Sequence, residues 1–485
     1  MYALERFQAW RGTASELAEL VRGLLIDVLP GDALPSVRTI RYWRSYGVIG
    51  HSGSRNYTER EALETLATIL LQRQGLKLDV IQERLKSLIL QELYTFIQNE
   101  LDELYELQAA KSKVPSQRSQ SVVFMLAVGI VQIYKVISSN EKIVRQEHAE
   151  IPEELQNAMS HLGRLYLEEG NEDQAASIHE ILYRCHKPLN TWGLQSFTGP
   201  SFPFAESILI DPDLFVPTID CLDIARTQGR GTVNILEDEA YQSLVKATQI
   251  AESDANRVYT ATREYLGRHS LTTLGHILEY CNEHILPDSI VSLLTNNLYM
   301  PIPDAWLVHG KALKCAHCGT LLRPDSTDPS GIRCPLIACR DLHAQRAIGD
   351  HLEASQARVV KPYILSYWVN PAIDELCLYD AAKAAGLPAR LYPNRDQCDV
   401  SLKDTIGIDV KSQRNPITLG KHLNESIGGL LYFERRVLAI PDGVVSRRRH
   451  YLSLIREELE TEAAKSLDVM PVSRVLRLIQ EVAHA

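Results

Sequence analysis

The sequence predicts a multidomain α+β chain, and three observations predict it. At 485 residues the chain is longer than one hydrophobic core can organise. Helix-period apolar patterns with recognisable caps dominate its first 300 positions. After Pro301 and Pro303 the pattern becomes a cysteine cluster, followed by helix, strand, strand, helix, strand. Four units are expected: a helix–wing–helix head with a long helix (1–111), a mainly helical middle (122–300), a cysteine-pinned ribbon (301–350) and a C-terminal α/β core (351–485). The polar stretch 112–121, SKVPSQRSQS, reads as a linker. Residues 152–185 read as a helical hairpin turning at Gly170-Asn171.

In the head, Ser36 is placed to cap a short helix that stops at Gly47. Arg38, Arg41 and Arg44 recur every three residues and so share a helix face, with Tyr42 beside them. Val48-Ile49, a small polar turn from Gly50 to Ser54, and Arg55 to Thr58 follow as a wing, and Thr58 with Glu61 forms a capping box for the next helix. This is the order of a winged helix-turn-helix. VRTIRYWRSYGVI followed by SRNYTEREALETLATILLQRQGLKLDVIQERL resembles the DNA-binding half of the MerR family of regulators. That resemblance implies DNA contacts at Arg38, Thr39, Arg41, Tyr42, Arg55 and Tyr57. Trp43 departs from it, standing where the family usually has a second tyrosine.

Any nucleic-acid contact must be local, because 51 basic against 61 acidic residues leave a net charge of −10. The longest apolar run, Val122 to Val131, is short of the ~20 residues that cross a bilayer and is expected to be buried. The opening MYALERFQAW has no basic region followed by an apolar one, so a cytoplasmic protein with no membrane partner is expected. Nine cysteines are scattered except for four. Cys315-Ala-His-Cys318 and Cys334 to Cys339 make two close pairs, which suit a structural Zn²⁺ bound by four thiolates in a zinc ribbon. His317 and His343 are spare candidates, and Cys185, Cys221, Cys281, Cys377 and Cys398 are expected to be buried thiols.

In the C-terminal core, Asn370-Pro371 is expected to cap a helix over 371–385 that carries Asp374 and Glu375. In 397–402 and 406–411 the even positions are apolar or thiol and the odd ones polar or glycine, so two strands with one core face are expected. Joining them through Lys403-Asp404-Thr405 sets Leu402 opposite Ile406 and Asp399 opposite Asp409. Like charges at that separation destabilise a hairpin unless a cation compensates. Lys411 projects to the same face. Two carboxylates to hold Mg²⁺, with an ammonium to stabilise the transition-state charge, is chemistry for phosphodiester hydrolysis. Arg435-Arg436 and Arg447 to Arg449 supply local positive charge.

From Ala372 to about Pro441 this pattern resembles the PD-(D/E)xK nuclease superfamily. Asp399 takes the first acidic position and Asp409-Val410-Lys411 the tripeptide. The resemblance implies a restriction-endonuclease-like fold, catalytic roles for Asp399, Asp409 and Lys411, and Glu375 as an additional acid. Cys398 departs from the usual proline. The combination resembles the restriction-endonuclease-like proteins of bacterial PIWI-RE defence islands. It implies an antiphage or antiplasmid metal-dependent DNA endonuclease, with a PIWI-RE protein and a DinG-type helicase as partners. Cutting two strands suggests a homodimer. The rival expectation is a zinc-containing DNA-binding regulator or scaffold with an inactive nuclease-like domain.

Overall fold

The computed structural model describes residues 4–25, 34–50, 55–112, 117–140, 151–198, 202–226, 235–325, 330–343 and 347–484. The backbone packs as two units, Met1–Ser116 with Gly199–Pro203, and Gln117–Thr198 with Phe204–Ala485.

In the first unit the helix Val37–Tyr46 begins where the Ser36 side chain accepts from the Thr39 amide, and it ends at Gly47. Gly47 has a φ of 81°, a left-handed conformation that glycine adopts without a Cβ clash. The Thr58–Glu61 capping box opens Glu59–Arg73 as the spacing predicts. Ile40 and Trp43 pack inward with Leu17, Val21, Leu63 and Leu66. The strand Tyr57–Thr58 pairs antiparallel with Arg11–Gly12, so its partner comes from the start of the chain rather than from Val48-Ile49. The expected wing turn, 51–54, lies outside the described residues. The expected linker is replaced in part by helix, because Leu90–Ser112 and Gln117–Asn140 leave only 113–116, also outside the described residues. Arg118 is tied to Glu168 at 2.8 Å and Ser119 is buried, which explains why these polar positions are ordered.

The helix Gln117–Asn140 opens the second unit, and its stretch Arg118–Ile137 has the length and apolarity of a membrane span, with mean hydropathy 1.7. Half of that stretch is buried. It packs on Glu153–Glu168 and Ile219–Arg226 through Val122, Val123, Leu126 and Ile130. Gly129 lets the crossing close, since a Cβ there would lie 2.6 Å from that of Leu155. The hairpin turn at Gly170 (φ 77°) is as expected, although the second helix is only Ile178–Arg184.

The three units expected beyond residue 122 do not separate. The strand Ala357–Val360 sits between Leu271–Thr273 and Tyr299–Pro301 in one antiparallel sheet, stitching the expected C-terminal core to the expected middle.

The C-terminal sheet has five strands, in the order Ala389–Leu391, Val400–Leu402, Ile406–Val410, Arg435–Ile440, Leu467–Pro471. The first three run antiparallel and the last three parallel. Helices Asn370–Ala384 and Val472–His484 pack together, and Pro416–Glu425 packs with Tyr451–Glu458 over Leu438, Ile440 and Val469. The expected pairing of Leu402 with Ile406 is observed. Asn370 is not a cap. A preceding helical turn, Leu365–Val369, runs into the helix, and the Asn370 Oδ1 accepts instead from the Ala338 amide at 3.1 Å. Nor is one strand face wholly polar and open. Ser401 is buried, and Gly407 lies under the Phe433 ring, so only the ends of the strands are accessible.

Candidate active site

Glu375, Asp399, Asp409 and Lys411 line one cleft of about 430 Å³ at those strand ends. The hairpin ladder stops at Val400. Asp399 donates its amide to Ile408 O at 3.1 Å and accepts from the Val410 amide at Oδ2 at 2.6 Å, which fixes its carboxylate against the next strand. Lys411 Nζ lies 2.8 Å from Asp409 Oδ2. Glu375 is buried and accepts from the Tyr392 hydroxyl. Asp374 lines a separate cavity of about 80 Å³ with Asp341 and Arg447.

Residues that sequence spacing could not bring together complete the cleft. Asp223 and Arg226 come from one helix, Tyr241 from another and Arg263 from a third, while Asp396 stands three positions before Asp399. Five acids (Asp223, Glu375, Asp396, Asp399 and Asp409) thus face three cations (Arg226, Arg263 and Lys411). Asp396 Oδ1 is buried with no hydrogen-bond partner. A surplus of carboxylates and an orphaned hard oxygen fit a divalent cation such as Mg²⁺, which takes one or two carboxylates and keeps waters or phosphate oxygens for the rest of its shell. Among the described residues these acids do not gather as tightly as the four thiols below.

Burial pushes Asp399 well above the usual carboxylate range, with Glu375 and Asp409 adding to the shift. Glu375 is pushed up to about 7, chiefly by burial, with Asp396 and Asp409 raising it further against the lowering influence of Arg263 and Tyr392. A carboxyl raised in the folded state contributes full stability below its unfolded value and loses it as pH rises through about 7. Glu375→Gln is therefore expected to stabilise the metal-free protein at pH 8 by on the order of 2 kcal/mol, read as a higher melting temperature, and to change it little at pH 4. Differential scanning calorimetry at the two pH values reads this, and equal shifts at both would contradict it.

Residues 372–485 match the family model described as REase associating with pPIWI_RE, and residues 123–273 match pPIWI_RE three-gene island domain Y. The chain belongs with the restriction-endonuclease-like proteins of PIWI-RE islands. No curated protein and no solved structure matches it. Both matched segments of this island protein contribute to the cleft: Asp223, Arg226, Tyr241 and Arg263 come from the domain Y segment, and the four expected residues come from the other.

In the same protein Cys315, Cys318, Cys334 and Cys339 bring their sulfurs within 4.8 Å of one another. The Cys315–Cys339 and Cys318–Cys334 separations are 3.8 and 3.6 Å. Those values exclude a disulfide, at ~2 Å. They match the ~3.8 Å edge of a tetrahedron whose centre is ~2.3 Å from each sulfur. The cluster could hold a metal such as zinc. His317 and His343 stay outside it, exposed and stacked with ring centroids 3.9 Å apart. Cys377 is exposed, against expectation, while the other four scattered thiols are buried.

On the helix Val37–Tyr46 of the first unit, Arg38, Arg41 and Tyr42 are exposed, Thr39 is half-buried beside Ser36, and Arg55 is exposed. Arg44 is not part of a free basic face. It pairs with Glu61 at 2.7 Å and lies 4.1 Å above the Tyr57 ring. Tyr57 is 2% exposed, so it braces this packing and offers a ligand little surface. Tyr46 instead stacks on Tyr42, and both are half exposed. Two of the expected C-terminal basic groups are also engaged, Arg435 with Asp468 at 2.9 Å and Arg447 with Asp341.

Proposed function

We propose that the chain is a Mg²⁺-dependent DNA endonuclease of a bacterial defence island. The observation that carries this reading is the convergence of Glu375, Asp399, Asp409 and Lys411 in one cleft. Asp399 and Asp409 would hold Mg²⁺, which supplies Lewis-acid polarisation of the phosphate and a more acidic water. Lys411 stabilises negative charge on the phosphoryl oxygens as water attacks phosphorus and the bridging oxygen leaves. Glu375, titrating near neutrality, orients that water and accepts its proton. These roles make the cleft a centre of the PD-(D/E)xK kind. The four thiolates bind structural zinc in a ribbon beside it.

The first unit binds DNA as a winged helix-turn-helix through Arg38, Thr39, Arg41, Tyr42 and Arg55, and the exposure of Arg38, Arg41, Tyr42 and Arg55 on and beside one capped helix supports the assignment. Arg41→Ala is expected to weaken duplex binding and to flatten the plot of log affinity against log salt by about 0.9, the loss of one phosphate contact. Fluorescence anisotropy across a salt series reads it, and an unchanged slope contradicts it. A PIWI-RE protein and a DinG-type helicase are the proposed partners, and a homodimer would provide two cuts.

One observation favours a non-catalytic DNA-binding scaffold instead. The Lys411 ammonium lies on Asp409, neutralising an acid that a cation needs. Plasmid nicking separates the readings. The nuclease cuts with Mg²⁺ or Mn²⁺ and stops with chelator, whereas a scaffold binds DNA and never cuts it, with or without those partners.

A further inference from the structure

The turn before Asp399 has an uncommon backbone. Tyr392, Asn394, Arg395 and Asp396 have φ values of 46, 50, 62 and 68°, and none is glycine. Residues with a Cβ are disfavoured in that region, so a run of them persists only where surrounding contacts hold it. Most of those contacts come from one face of one helix, Ala255–Arg268. Arg263 reaches Asp396 Oδ2 at 3.3 Å, and the Tyr259 hydroxyl donates to the same oxygen. Thr260 donates to Leu391 O at 3.3 Å, and Asn256 reaches Asn394 Oδ1 at 3.5 Å. Arg263 is itself 8% exposed and lies between the rings of Trp368 and Tyr392, 4.6 and 4.7 Å from their centroids.

From the turn, two links run to the acids of the cleft. The Tyr392 hydroxyl donates to Glu375, and the Tyr392 amide donates to Asp399 O at 2.9 Å. The helix lies in the segment that matches domain Y, and the turn and acids in the segment that matches the REase. We infer that the domain Y helix Ala255–Arg268 is a positioning element of the nuclease centre, in which Tyr259 and Arg263 hold the left-handed turn 392–396 and through it the geometry of the cation ligand Asp399 and of the water-orienting Glu375. This rests on the cation-binding reading of the cleft. It gives the domain Y segment a definite role, since the REase segment alone has the acids without the clamp that aims them.

The test is calorimetric titration of Mn²⁺ into the full-length, zinc-loaded protein, alongside thermal melts. Asp399→Ala serves to identify the cleft site. Arg257→Ala serves as a control on the same helix, because Arg257 points away from the turn to Asp254 and His284. Tyr259→Phe and Arg263→Met are expected to bind Mn²⁺ at least about tenfold more weakly than wild type, as second-sphere losses do, while Arg257→Ala binds as wild type does. Folded Tyr259→Phe and Arg263→Met proteins of unchanged affinity would overturn the inference and leave the nuclease reading intact. Should Arg263→Met fail to fold, Tyr259→Phe, which removes one hydroxyl, decides alone. A wild type without a Mn²⁺ site that Asp399→Ala abolishes would overturn both.

Discussion

Asp409→Ala is expected to lower Mg²⁺-dependent plasmid cleavage by about a thousandfold or more, with the protein still folded. Asp409 sits at the open end of its strand with 20% of its side chain accessible, so its truncation leaves no buried cavity. What is lost is one of two carboxylates proposed to hold the cation, and with it the Lewis acid and the poised water. A single preorganised electrostatic contact in such a site is commonly worth ~10²–10³ in rate, and a metal ligand more. Lys411→Ala is expected to lose about 10²-fold while still binding Mn²⁺, because its ammonium acts on the transition state and not on the cation. Removing Lys411 also frees Asp409 Oδ2. A gel-based time course with both variants reads the two losses. Cleavage by Asp409→Ala at the wild-type rate would remove the proposed centre altogether.

Cys334→Ser is expected to have the largest effect on stability. Structural zinc sites contribute on the order of 10 kcal/mol to the segments they organise. Among the described residues, this segment is otherwise built of short elements: the strand pairs Lys311–Cys315 with Ile348–Glu353 and Arg323–Pro324 with Ile332–Arg333, and the helix Ile337–Leu342. It is also tied to its surroundings. Asp213 accepts from Arg333 and Arg340, each at 2.8 Å, and Asp341 pairs with Arg447 next to the C-terminal sheet. The variant should lose one equivalent of zinc by atomic absorption and melt more than about 5 °C below wild type. Full zinc content or an unshifted melt would mean that the four thiols do not share an ion.

Much of the cleft was legible in the sequence for a simple reason. Strand alternation has a period of two, so once Leu402 is set opposite Ile406 the facing of Asp399 and Asp409 follows from arithmetic. Caps were legible because Ser36, Gly47, Thr58 and Gly386 each do something locally that no other nearby residue can. Asn370 misled because Asn-Pro reads as a helix start only when nothing helical precedes it, and Leu365–Val369 does. The edge strand Ala389–Leu391 is too short to carry a pattern, and Ala357–Val360 joins partners more than 50 positions away. Arg263 and Asp223 could not be assigned to the cleft from spacing, because they lie more than 100 positions before its other acids. Their only local signal was a charged side chain on an otherwise inward helix face. Tyr57 shows the converse: a resemblance assigned it to DNA, and packing under Arg44 assigns it to the core.

The cleft acids are expected to share one cation. An anomalous difference map from crystals grown with Mn²⁺ tests this most directly. A peak is expected within ~2.3 Å of oxygens from both Asp399 and Asp409, with Lys411 swung off Asp409. A map with no peak there, and Lys411 still paired to Asp409, would contradict it.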